Sequence, residues 1–204
     1  MTDFTLQQIV LRFCALLLIL GLHGAAVAGA ATALGDPGPR YDGRLSINPL
    51  AHLDLLGLAS GVLFSVAWIK PVAIDPGKLH PGHRALIPVI VAASIAAILV
   101  IAFVLRLARP LLLPLLGDTS SMLAFALIET IGQHGVWFAL INLLPVPPLT
   151  GGYLLSALVP KIGKMVHKSH VYASLLLTGL AATGIITSVL APVQRIFARL
   201  VLGE

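Results

Sequence analysis

Long stretches without formal charge constrain this chain more than any other feature. No Asp, Glu, Lys or Arg lies between Arg12 and Asp36, between Arg84 and Arg106, between Glu129 and Lys161, or between Lys168 and Arg195. A water-facing surface carries charge at about 25% of positions. Here 10% of 204 residues are charged and 58% are hydrophobic. Such a chain is expected to be an integral, multi-pass membrane protein. At about 20 residues per span, its length suits a single domain, 1–204, of four to six helical segments. The net charge of +5 falls in polar connections, where it reads as interfacial anchoring and topology signal. No nucleic-acid-binding pattern is present.

The first span is expected at about 6–34, entered through Gln7, Gln8 and Arg12 and ended by Gly35-Asp36-Pro37. It is too long for a signal-peptide core and is read as retained. Gly21, Ala25 and Gly29 recur every four residues along it, a small-residue face against which another backbone can lie, from this chain or a partner. Further spans are expected at about 55–69, 85–107, 122–144 and 171–190. An amphipathic interfacial tail follows at 193–204, with Arg195 and Arg199 opposite Ile196, Phe197 and Leu200. Between the first two spans, residues 36–54 are polar and rich in Pro and Gly. Asp42-Gly43 suits a two-residue turn, and Leu45 and Ile47 alternate with Arg44, Ser46 and Asn48. This predicts a short membrane-associated β-hairpin or re-entrant segment, which must be shielded from lipid.

Ionisable residues at membrane depth are functional candidates. His23, His52, Asp54, Glu129 and His134 qualify. They could form a rebuilt metal or proton site, or pair with one another and with irregular backbone. His80, His83, His167 and His170 are expected to be solvated. The small residues around His23 also leave room for a haem or chlorophyll macrocycle, so a pigment-contacting subunit is one reading.

Three blocks carry a resemblance: Leu22-His23-Gly24-Ala25-Ala26-Val27, then Gly43 to His52, then Asn142-Leu143-Leu144-Pro145-Val146-Pro147-Pro148-Leu149-Thr150-Gly151. Together they resemble the site-2 protease family of intramembrane zinc metalloproteases, in its small form. The resemblance implies an all-α membrane core with a β-hairpin after the first span, in a bacterial inner membrane. It also implies where zinc chemistry would sit. In the H-E-x-x-H pattern two histidines one turn apart hold zinc and the glutamate is general base. Only His23 matches; Gly24 stands for the base and Val27 for the second histidine. Thr150 occupies the position of the family's third ligand, an aspartate. Ala97 stands where a substrate-holding asparagine is expected.

Catalytic zinc takes about three protein ligands and a water, so zinc and other cofactors are not expected. The reading at this level is a non-enzymatic accessory or scaffold subunit. It would bind partner transmembrane helices within a membrane complex, through Gly21, Ala25, Gly29, Pro147, Pro148 and Thr150. The alternative is an intramembrane zinc metalloprotease with a non-standard ligand set.

Overall fold

The structure, a computed structural model, describes residues 5–80, 84–159 and 170–203. Every regular element in these parts is a helix. Helix α1 (Leu6–Ala33) begins where the Thr5 hydroxyl accepts the Gln8 N–H. At 1.5 Å per residue it is about 42 Å long, enough to cross a bilayer core of about 30 Å with a tilt. Three further helices are also long and apolar enough to cross: α5 (Ile87–Leu112), α6 (Asp118–Asn142) and α9 (Ile185–Leu202). Helices α1, α5 and α6 pack on one another, and α9 lies against α6 and α5. Their outer faces leave Val10, Leu18, Val100, Leu107, Met122 and Val189 exposed, as lipid contact requires.

The remaining helices are short: α2 (Gly38–Tyr41), α3 (Pro49–His52), α4 (Leu55–Phe64), α7 (Gly152–Leu158) and α8 (His170–Ala182). The second expected span, 55–69, is a helix only to Phe64. At 10 residues, or about 15 Å, it cannot cross alone. Ser65 takes a left-handed conformation (φ 61°) and ends it. The chain then runs extended, with Val66, Ala67, Trp68 and Ile69 buried. Extended backbone in an apolar interior needs partners, and other parts of the chain supply them. Asn142 Nδ2 donates to the Ala67 carbonyl (2.9 Å), the Lys70 N–H donates to the His52 carbonyl (2.8 Å), and Tyr153 Oη bridges both polar groups of Val72. The expected last span and tail also divide differently. The turn at Thr183-Gly184 separates α8 from α9, and α9 takes in residues 193–202 as part of a packed helix.

The β-hairpin expected within 36–54 is not formed; no strand occurs among the described residues. Local capping and one buried cation decide this. Asp36 Oδ1 accepts the Gly38 N–H and nucleates α2, while its Oδ2 accepts the Asp75 N–H. Gly43 takes φ 68°, but the following residues do not return along a partner strand. Arg44 is buried instead, its guanidinium donating to the carbonyls of Ala51, Lys70 and Pro71. Asn48 then caps α3, with Pro49 at the first helical position. The alternation of Leu45 and Ile47 is real, yet both are exposed, so it has no buried face to order a sheet. Lys161, Lys164, His167, Lys168 and His83 lie outside the described residues.

Candidate functional site

His23 and Thr150 lie 127 positions apart in the chain, and the fold brings them together. His23 sits midway along α1 and is fully buried. Its Nε2 is 2.8 Å from Thr150 Oγ1, and its Nδ1 is 3.2 Å from the Ser94 carbonyl on α5. A carbonyl only accepts, so Nδ1 carries the proton and Nε2 is the bare acceptor for the Thr150 hydroxyl. Phe138 of α6 holds the imidazole by an edge contact, 4.8 Å between centroids.

Thr150 is placed by Asn142, the last residue of α6. Asn142 Oδ1 accepts the Thr150 N–H at 3.2 Å, while its Nδ2 donates to the Phe138 and Ala67 carbonyls. The Gly151 N–H donates to the Asn142 carbonyl at 2.6 Å. The loop from Leu143 to Gly151 is thus folded back on the end of α6, with the hydroxyl at residue 150 aimed at α1.

His52 forms the other wall. A Cβ on Gly24 would fall inside its imidazole, 2.7 Å from Cε1. A second histidine therefore occupies the space into which a side chain at position 24 would project. Its Nε2–H donates to the Ser46 carbonyl at 2.7 Å, leaving Nδ1 buried without a partner. Burial holds the His52 pKa below its usual value, against the opposing effect of the Ser46 bond. A base held neutral by burial takes up protons more weakly folded than unfolded. Stability is then full above the unfolded value of about 6.5 and falls as pH drops below it. The unfolding midpoint in detergent is expected to fall between pH 7.5 and pH 5, with a smaller fall in His52→Gln; an equal fall in both would remove His52 as a cause.

The other candidates are dispersed. Glu129 pairs with Arg109 rather than with His134, and His134 Nδ1 donates to the Thr130 carbonyl at 3.1 Å. Asp54 caps the Gly57 N–H, and its Oδ2 is 3.1 Å from His170 Nε2, so His170 is not simply solvated. His80 is exposed. Gly21 faces the chain's own Ile47 carbonyl, 2.5 Å from where a Cβ would stand, and Gly29 faces Leu45. Pro148 is buried and Pro147 half-buried; Ala97 is half-buried on α5, one turn beyond Ser94. Two members of the site, Ser94 and Asn142, escape a search for ionisable groups. Asn142 was visible as the first residue of the Pro-rich block; Ser94 acts through its backbone, which no residue pattern announces.

No protein family model matches the sequence, and no solved structure matches it. Among curated proteins, it is similar to "Putative zinc metalloprotease YwhC" of Bacillus subtilis (strain 168), 28% identical over 146 residues. The match covers 68% of this chain and 64% of YwhC, less than two thirds of the relative's length. This corrects the expectation that the chain is not an enzyme. A relative named as a metalloprotease points toward an enzyme, and missing zinc donors exclude only one way of making a nucleophile.

The residues present do not fit the zinc ion that YwhC's name implies. Both ring nitrogens of His23 are engaged, Val27 offers no lone pair one turn later, and Thr150 is a neutral hydroxyl. Among the described residues no three His, Cys, Asp or Glu converge, whereas zinc sites take about three such ligands.

Proposed function

We propose that this chain receives membrane-embedded peptide segments of partner proteins, at the centre built from His23, Thr150, Asn142 and His52. One observation carries the reading: the two positions that the zinc-protease resemblance marks in α1 and after α6 meet at 2.8 Å. The similarity to a relative named as a metalloprotease supports a peptide as what is received. Beside the centre the loop exposes Leu143 and Val146, an apolar edge on which a lipid-embedded segment can lie.

The hydroxyl–imidazole pair favours a second reading, in which the received segment is cut. A hydroxyl donating to a histidine whose other nitrogen is fixed by a carbonyl has the form of an activated nucleophile. Thr150 Oγ1 attacks the peptide carbonyl carbon as its proton passes to His23 Nε2. The C–N bond breaks as that proton moves to the departing amine. Water, deprotonated by the same nitrogen, releases the acyl ester and restores the Thr150 hydroxyl.

A photoreactive side chain at Val146 separates the two readings, with one at Val100 on the lipid face of α5 as control. Cross-links from position 146 to a membrane-spanning segment are expected, and none from position 100. Equal labelling from both positions sinks the docking reading. Thr150→Val is expected to keep the cross-link and slow any cleavage of the captured segment by on the order of 10⁶-fold, with Thr150→Ser restoring it. Unchanged cleavage in Thr150→Val removes the second reading alone.

A further inference from the structure

A cavity of about 380 Å³ opens between the start of α4 and the start of α8, and neither His23 nor Thr150 lines it. This is the size range of small-molecule sites. Its walls are mostly apolar, Leu56 and Pro71 among them, and its polar groups are Asp54, Lys70, His170 and Ser174. Ser174 is 1% exposed and its hydroxyl has no hydrogen-bond partner among the described residues. A buried hydroxyl left unsatisfied is costly, so a ligand acceptor met by a turn of the Ser174 side chain gains in affinity. The Asp54 carboxylate is already met by the Gly57 N–H and stands 3.1 Å from His170. Lys70 is exposed, and no acid pairs with it among the described residues. Val171, Leu175 and Leu176 carry the apolar wall onto the outer face of α8.

We infer that this cavity binds a membrane amphiphile with an anionic head, its head accepting from Ser174 and pairing with Lys70 while its acyl chain follows the apolar wall. A free fatty acid and an anionic phospholipid share this chemistry. Neither the docking nor the cleavage reading above bears on it.

Native mass spectrometry of the full chain in mild detergent tests the site. Oleate and phosphatidylglycerol are titrated separately, against phosphatidylcholine as a control for unspecific partition. Saturable binding of one molecule per chain is expected for at least one anionic amphiphile, and the arm that saturates names the source. Ser174→Phe fills the cavity and is expected to abolish that binding. Lys70→Glu, at an exposed position, leaves the fold alone and is expected to weaken it at least tenfold. Binding that is unsaturable, equal for phosphatidylcholine, or unchanged in Lys70→Glu overturns the proposal.

Discussion

Gly24→Glu, which puts a carboxylate where the zinc-protease resemblance leads one to expect a general base, is expected to unfold the protein rather than activate it. The reason appears already in Gly24→Ala. Alanine is favoured over glycine inside a helix by about 1 kcal/mol. Its Cβ would nevertheless stand 2.7 Å from His52 Cε1, inside a ring that is fully buried and tied to Ser46. Overpacking of this kind costs about 1–3 kcal/mol, occasionally more. The clash outweighs the propensity gain, and glutamate adds a charge in a lipid-depth interior. Gly24→Ala is expected to lose about 2 kcal/mol, seen as a drop of roughly 4–8 °C in the unfolding midpoint. His52→Ala opens a cavity, and the double variant refills part of it. The double variant should therefore lose less than the sum of the singles, by about 1–3 kcal/mol. Strict additivity would mean that His52 does not occupy the space above Gly24.

Asn142→Ala is expected to be the most damaging single change to the site. Asn142 is wholly buried, and its side chain serves the Ala67 carbonyl, the Phe138 carbonyl and the Thr150 N–H. Removing it strands at least the Ala67 carbonyl and the Thr150 N–H in an apolar interior. Each buried unsatisfied group costs about 1–3 kcal/mol, giving a loss of about 3–5 kcal/mol. The loop carrying Thr150 would detach from α6 together with the extended segment at Ala67. Loss of the monodisperse peak on size exclusion, or a midpoint lowered by about 10 °C, checks this. Asn48→Ala is the comparison, because Asn48 is an exposed cap whose side chain accepts only the Leu50 N–H. It should cost about 1 kcal/mol. Similar losses in the two variants would show that Asn142 holds no more than an ordinary helix end.

The membrane class and the crossing helices were legible because charge-free apolar runs are local. Each helix satisfies its own backbone, so composition and length alone mark α1, α5 and α6. His23 and Thr150 could be named from their motif positions, but that they meet could not. What failed was local pattern without tertiary support. The alternation at Leu45 and Ile47 predicted a strand, but Arg44 found three backbone carbonyls of other segments and anchored the chain there. The end of α4 was likewise hidden, since Val66 to Ile69 is as apolar as a span and the extended backbone from Ala67 to Val72 is satisfied by Asn142, His52 and Tyr153 from other segments.

Sequence by itself determined that the chain carries apolar helices long enough for membrane spans and that the zinc donors the resemblance leads one to expect beside His23 are not there. Both follow from which side chains are present and how often they recur. Only the tertiary structure decided what stands in their place: a threonine hydroxyl on the bare nitrogen of His23, an asparagine clamp behind it, and His52 in the space over Gly24. Contacts across 127 positions depend on how whole helices pack, and no local run of residues encodes that.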